Sequence, residues 1–178
     1  MIESEALATR LSAVIRDVPD FPREGILFKD LTTLFGDAGA FRAAIDALAG
    51  AHRDSHIDVV VGVESRGFVI GGAVAYLLGA GFVPVRKAGK LPHTTLSVEY
   101  ALEYGTATLE IHTDAIQAGQ RVLVVDDLLA TGGTAAATVS LVEQLGGTII
   151  GVAFLVELAA LDGARQLRKH PRVSLIRF

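Results

Sequence analysis

The sequence contains no cysteine. That absence excludes a disulfide framework, a cysteine nucleophile and any zinc site built on thiolate. Positive charge is also short: sixteen lysines and arginines stand against twenty acids, a net charge of −4. Such a balance argues against nucleic-acid binding through bulk charge. The first residues lack the basic stretch and apolar run of a signal peptide, because Glu3 and Glu5 occupy the place of the former, so secretion is not expected. There is no internal repeat, low-complexity tract or linker. One uncharged stretch, Gly67 to Val85, is nearly long enough to span a bilayer. Five glycines and Pro84 interrupt it, and Gly79-Ala80-Gly81 splits it into a helix-length and a strand-length piece. A buried helix, a turn and a buried strand are expected there.

What is present is a chain of 178 residues, 51% hydrophobic and 20% charged. That is the size of one ordinary domain, which buries about 70% of the surface its unfolded chain exposes. The class expected is a soluble cytoplasmic enzyme. A first helix is expected from a Ser4 cap, with Leu7, Leu11, Val14 and Ile15 on one face, broken by the segment from Pro19 to Gly25. Asp37 is placed to cap a second helix with Phe41, Ala44, Ile45 and Leu48 on its apolar side. Ile57 to Val63 and Val122 to Val125 are apolar runs of the kind buried on both faces of a parallel sheet. Thr106 to His112 alternates as a half-exposed strand does. Arg86 to Thr95 is basic and reads as an exposed loop. A helix over Ala135 to Leu145 ends at Gly146, and strands over Ile149 to Val156 and Val173 to Phe178 flank a helix near Ala160 to Leu167. Alternating strands and helices predict an α/β fold with a mainly parallel central sheet flanked by helices. Ligands of such folds bind beyond the carboxyl ends of strands, so chemistry is expected just after Val63, Val85, Val125 and Val156.

The strongest local signal is VLVVDDLLATGGT, Val122 to Thr134. A buried strand is expected to end in Asp126-Asp127, followed by a turn of small residues and a helix. Thr131, Gly132, Gly133 and Thr134 would gather backbone N–H groups at the helix N-terminus, where the peptide dipoles favour an anion. Two adjacent carboxylates would repel a phosphate, so their partner must be neutral or cationic: sugar hydroxyls or hydrated magnesium. The other reading of the pair is a helix start that uses carboxylates as caps. No lysine follows the second glycine as in a Walker A loop, and the third glycine of a dinucleotide fingerprint is missing.

VVDDLLATGGT resembles the phosphoribosyl-pyrophosphate signature of the type I phosphoribosyltransferases. Five further segments narrow the resemblance to the adenine-specific family among them. They are DFPREGILFKDLT (Asp20 to Thr32), VESRGF (Val63 to Phe68), RKAGKLPHTT (Arg86 to Thr95), EYALEYGTATLEI (Glu99 to Ile111) and LVEL (Leu155 to Leu158), in the family's order over almost the whole chain. The resemblance implies transfer of a 5-phosphoribosyl group from phosphoribosyl pyrophosphate to adenine N9, giving AMP and pyrophosphate. It implies Mg2+ as cofactor, held mainly by substrate pyrophosphate and water, and a homodimer. It implies one phosphoribosyltransferase domain over residues 1–178, with a small N-terminal hood over about residues 1–35, a core over about 36–178, and a flexible lid loop.

Residue by residue, the resemblance gives Asp126, Asp127, Ala130, Thr131, Gly132, Gly133 and Thr134 to the phosphoribosyl group. Pyrophosphate falls to Glu64, Ser65, Arg66, Arg86, Lys87 and Lys90, with a cis peptide implied between Glu64 and Ser65. The planar fork of a guanidinium suits phosphate, and cations there stabilise charge that grows as the bond to C1′ breaks. Arg86 or Lys87 would act across a dimer interface. Glu103 is implied as general acid or base beside the purine, with Arg66 and Lys87 the other catalytic residues and Tyr104 helping to close the lid. Adenine is implied to lie between Phe28 and Leu158, read by the Leu27 carbonyl and the Lys29 amide. The family usually has arginine at the position of Lys29.

By residue chemistry alone, Phe28 reads first as a core residue and the basic loop first as solvated surface, while an exposed strand glutamate is the other reading of Glu103. His52 and His56 have the spacing of two helix-borne ligands but no third nearby, so both are expected at the surface. His93 and His112 carry no assignment. Enzymes acting on 6-oxopurines usually place a lysine near the strand end that here carries LVEL, and this segment has none. A non-catalytic regulator on the same fold would bring a basic face or an added domain, for which this acidic chain has little room.

Overall fold

The computed structural model describes residues 2–101 and 105–178. Helix α1 (Ile2–Ser12) leads into a two-stranded antiparallel sheet, β1 (Arg16–Pro19) and β2 (Leu27–Asp30). The short helix α2 (Thr32–Gly36) and then α3 (Ala38–Gly50) follow. As expected, Asp37 caps α3, its carboxylate accepting from the Ala40 N–H at 2.8 Å, while Ala44, Ile45 and Leu48 are buried. Helix α1 begins ahead of Ser4, so Ser4 lies inside it rather than capping it. Val14 and Ile15 lie beyond its end, yet they pack with Leu11, Leu31 and Leu34 in one core cluster.

The main sheet has seven strands among the described residues, in the order β5-β6-β4-β3-β7-β8-β9. They are β3 (Val59–Val63), β4 (Gly81–Lys87), β5 (Thr95–Ala101), β6 (Thr106–His112), β7 (Arg121–Leu129), β8 (Thr148–Glu157) and β9 (Arg172–Arg177). The strands from β4 through β9 in that order pair in parallel, and the β5–β6 hairpin adds an antiparallel edge. All five β3 residues are buried, as a β-branched run in the middle of a parallel sheet requires. Helix α4 (Arg66–Leu78) follows β3 and closes on Gly79, whose φ of 65° is the left-handed stop that a helix C-terminus favours. So the stretch from Gly67 to Val85 is a helix, a turn and a strand. No helix among the described residues is long and apolar enough to cross a membrane. Helix α5 (Gly133–Gln144) follows β7.

Three expectations are corrected. Strand β7 does not end in the acid pair: it carries Asp126 and Asp127 and continues to Leu129, because β8 pairs beside it as far as Leu129 opposite Glu157. The basic segment is not wholly a loop, since β4 runs through Arg86 and Lys87 and β5 begins at Thr95. The helix expected near Ala160 is two 3-10 turns, Ala159–Leu161 and Gly163–Leu167, separated by Asp162 at a φ of 49°. A left-handed residue ends a helix.

His52 is also not a surface residue. Its side chain is buried, and a Cβ on Gly151 of β8 would lie 2.8 Å from His52 Cε1. Its Nε2 has no hydrogen-bond partner among the described residues. Burial lowers the His52 pKa below the ordinary 6.5. The unfolded chain therefore binds this proton more readily than the folded one, and stability falls as pH drops below 6.5 towards the folded pKa. Thermal unfolding measured from about pH 7 to about pH 5 should show this loss, and His52→Leu should make the decline shallower. An equally steep decline in the variant would remove His52 as its source. His56 is exposed, as expected.

Candidate active site

The order of the sheet locates the site. From β3 the chain proceeds outwards to β4 on one side, whereas β7 lies on the other and leads to β8 and β9. The crevice beyond the carboxyl ends of β3 and β7 is thus the switch point at which open α/β sheets bind ligands. The turn after β3 brings Glu64, Ser65 and Arg66 there, and β7 brings Asp126 and Asp127. Gly67 lets the two approach: a Cβ on it would lie 2.8 Å from Asp126 Oδ1. The Glu64–Ser65 peptide is cis.

Asp126, Asp127, Leu128 and the turn from Leu129 to Ala135 line a cleft of about 190 Å³ together with Arg66. Gly132, with a φ of 86°, stands at the N-cap of α5. The first N–H groups of any helix have no intrahelical acceptor, so the Thr131–Thr134 turn presents donors and the positive end of the helix dipole to this cleft. The turn is held from two sides. Below, Gly163 packs backbone against backbone on it: a Cβ on Gly163 would lie 2.8 Å from the Gly132 nitrogen. Above, the Thr134 hydroxyl donates to Tyr100 Oη at 3.2 Å, and a Cβ on Gly133 would lie 3.1 Å from the Ala101 carbonyl oxygen.

The acid pair is buried. Asp126 Oδ1 accepts from the Asp127 N–H at 2.9 Å. Burial, and then the neighbouring Asp127 charge, push Asp126 well above the ordinary carboxylate range. Burial raises Asp127 too, against the pull of the Arg66 guanidinium. Arg66 Nε approaches Asp127 Oδ2 to 2.7 Å, yet this oxygen has no aligned hydrogen-bond donor among the described residues. It is an ion pair, at the edge of the amide turn of α5.

Glu64 Oε2 accepts from Arg86 Nε at 2.9 Å and from the Lys87 N–H at 3.3 Å. Partial burial opposes its ionised form, but Arg86 and the Lys87 amide outweigh that and hold its pKa below the usual value. Arg86 also donates to the Lys90 carbonyl at 3.1 Å, so Arg86, Lys87 and Lys90 gather at the end of β4 beside the β3 turn.

A second, more apolar cleft of about 370 Å³ is lined by Val18, Phe21, Phe28, Asp30, Thr32 and Arg66. Phe28 meets Phe21 edge-on at 5.1 Å, and the Arg66 guanidinium lies 5.9 Å from the Phe28 ring centroid. Asp30 Oδ1 accepts from the Thr32 hydroxyl at 2.7 Å and amide at 3.0 Å, and these donors lower its pKa. Leu27 and Lys29 flank Phe28 on β2, and Leu158 follows β8, but none of the three lines this cleft. Glu103 and Tyr104 lie outside the described residues. No cluster of three or more potential metal ligands is found among the described residues. The oxygen donors at hand are Asp126 and Asp127, a set that fits a hard cation arriving with its own phosphate oxygens and water.

Reading the residues alone gave no role to Gly163, Tyr100 or Asp30. Tyr100 and Asp30 stood inside segments quoted for their resemblance. Gly163 had only the Asp-Gly turn dipeptide to mark it.

Residues 34–176 match a family model described as a phosphoribosyl transferase domain, so fold and cleft define a phosphoribosyltransferase. The chain is 56% identical over 170 residues to an adenine phosphoribosyltransferase of Methylobacterium sp. (strain 4-46), covering 94% of each chain. The crystal structure of adenine phosphoribosyltransferase from Rhodothermus marinus superposes with a TM-score of 0.93 at 50% identity, covering 98% of this chain and 99% of that one. The Saccharomyces cerevisiae enzyme, solved with adenine and an imino-altritol bisphosphate, gives 0.90 at 44% identity, covering 96% and 99%. The chain belongs to the adenine phosphoribosyltransferase family.

Proposed function

We propose that this chain carries out its family's reaction with the residues gathered at the switch point. The reaction is a purine-salvage transfer of the 5-phosphoribosyl group of phosphoribosyl pyrophosphate to adenine N9, with AMP and pyrophosphate as products. The observation that carries the reading is the buried acid pair beside the amide turn of α5, where Asp127 Oδ2 has an ion-pair partner in Arg66 but no aligned hydrogen-bond donor among the described residues. A sugar phosphate supplies what both lack: an anion for the turn and hydroxyl donors for the acids.

The Thr131–Thr134 turn, with Ala130, holds the 5-phosphate, and Asp126 and Asp127 accept from the ribose hydroxyls. Ser65, Arg66, Arg86, Lys87 and Lys90 face the pyrophosphate, while Glu64 positions Arg86. Mg2+ bound with the substrate supplies further neutralisation of the pyrophosphate charge. As the C1′–O bond lengthens, positive charge builds on the sugar ring and negative charge on the leaving group, where the cations stabilise it. N9 then bonds to C1′ and its proton departs. Glu103 serves as acid or base at the purine, and Tyr104 helps close the lid, which keeps water from the sugar cation. Adenine lies against Phe28 in the apolar cleft, read by the Leu27 carbonyl and the Lys29 amide, with Leu158 beyond it.

The chain works as one domain over residues 1–178, with the β1–β2 hood within about residues 1–35 and the core over about 36–178. A homodimer is proposed, in which Arg86 or Lys87 can serve the neighbouring site. It is supported by an outward apolar face on α4, where Tyr76 is 84% exposed beside Val69 and Leu77. A cytoplasmic location is proposed with it.

The test is base competition: pyrophosphate release followed with phosphoribosyl pyrophosphate, magnesium and each purine in turn. Adenine should support turnover, with hypoxanthine, guanine and xanthine at least about 100-fold poorer, because each presents a donor where adenine presents an acceptor. Comparable turnover of a 6-oxopurine would overturn the reading.

A further inference from the structure

The side chain of Lys29 is occupied in a way that adenine recognition through its backbone does not require. Lys29 stands opposite Asp17 in the β1–β2 pairing. Its Nζ donates to Asp17 Oδ1 at 2.6 Å and lies 4.0 Å from the centre of the Phe178 ring. The Lys29 side chain is only 14% exposed, so the cation meets the aromatic face with little water between them, which strengthens the attraction. Phe178 is in turn tied to the far side of the site. Its N–H donates to the Glu157 carbonyl at 3.0 Å, and its carbonyl accepts from the Ala159 N–H at 2.8 Å. Those two residues bracket Leu158, whose own N–H donates to Leu129 of β7 at 2.9 Å. Glu157 is fixed as well: its carboxylate accepts from Ser174 Oγ at 2.8 Å and from Arg177 at 3.2 Å.

One continuous path therefore runs from Asp17 through Lys29 and Phe178 to the peptide units on either side of Leu158. Phe28 and Leu158 are the two walls proposed for the base, and β1–β2 shares no sheet with β8. We propose that Lys29 and Phe178 act together as a strut that fixes the gap between the hood hairpin and the end of β8, and thereby set the fit for adenine. Both are positioning residues. The inference rests on the proposed placement of adenine between Phe28 and Leu158.

The strut predicts a selective defect. Lys29→Gln and Phe178→Leu should each raise KM for adenine about tenfold, the scale of a desolvated cation–π contact. KM for phosphoribosyl pyrophosphate and the affinity for ribose 5-phosphate by calorimetry should stay at wild-type values. Lys29→Arg and Phe178→Tyr, which keep cation and ring, should restore adenine KM. The double variant Lys29→Gln/Phe178→Leu should be no worse than the poorer single one, because both break the same contact. A general loss of folding would instead move both substrates together. Additive defects, failure of both conservative variants to rescue, or unchanged adenine KM in both single variants would overturn the strut. Phe28→Ala in the same series separates this outcome from failure of the base site. If Phe28→Ala raises adenine KM and the strut variants do not, only the strut is lost. If Phe28→Ala also has no effect, the placement of adenine is wrong.

Discussion

Gly163→Ala should raise KM for phosphoribosyl pyrophosphate by about 100-fold, the upper end of what forced overpacking costs, and leave KM for adenine nearly unchanged. Gly163 touches no substrate. Its place is beneath the phosphate turn, where a methyl group would stand 2.8 Å from the Gly132 nitrogen and 2.9 Å from the Ala130 carbonyl carbon. Both neighbours are backbone, so neither can swing aside as a side chain would. Gly132 cannot yield easily, since its own φ of 86° already defines the turn. The displacement falls on the amides that are to meet the 5-phosphate, and anion binding by preset donors is sensitive to shifts of this size. Gly79→Ala is the control. That glycine also has a positive φ but nothing within 4 Å of an added Cβ, so it should lower stability by about 1 kcal/mol and spare both KM values. Steady-state kinetics and calorimetry with ribose 5-phosphate decide the matter. Near-normal sugar-phosphate binding in Gly163→Ala would show that the turn does not depend on its support.

Asp126→Asn should give a protein that is more stable at neutral pH and poorer as an enzyme. The Asp126 pKa stands above its unfolded value because burial and then the Asp127 charge oppose ionisation. The folded chain thus holds this proton more tightly than the unfolded one. Stability contributed here is present at low pH and is lost as pH rises from the ordinary carboxylate value of 3.8 through the folded pKa. Asparagine carries no charge to penalise, so its advantage should appear in thermal unfolding at pH 7 and shrink towards pH 4. The same change removes an acceptor for a ribose hydroxyl, which should raise KM for phosphoribosyl pyrophosphate by roughly 10- to 100-fold. A variant that unfolds at the wild-type temperature at pH 7, or that binds the sugar phosphate normally, would contradict this account. The trade is one that active sites commonly make.

The parts of the fold that could be read from the sequence are those in which one local rule governs. The nearly continuous β-branched run of β3, the Asp37 cap, the glycine stop at Gly79 and the amide turn before α5 each depend on a few adjacent residues. What escaped depends on distant partners. The β1–β2 hairpin is short, largely exposed and interrupted by Pro19 and Pro22, so no alternation marks it. The end of β7 is not legible locally: Asp126 and Asp127 read as a strand terminus, whereas β8 alongside carries the ladder on to Leu129. His52 is buried only because Gly151, about a hundred residues further along the chain, leaves room for its ring. Gly163 belongs to the phosphate turn through space and lies 31 residues from Gly132. The same distinction applies to the site. The carboxylates, the basic cluster and the glycine turn could be named from their types, but the pairing of Arg66 with Asp127 and of Arg86 with Glu64 is a product of the folded sheet.

Arg66 borders both clefts, touching Asp127 in one and facing Phe28 in the other. On the proposed placement of sugar and purine, one guanidinium therefore stands between the two substrates. On that placement, sugar hydroxyls that satisfy Asp127 would draw it from its pairing with Arg66 and change the room left for the purine. Each substrate is then expected to change the affinity for the other, and by thermodynamic reciprocity by the same factor in both directions.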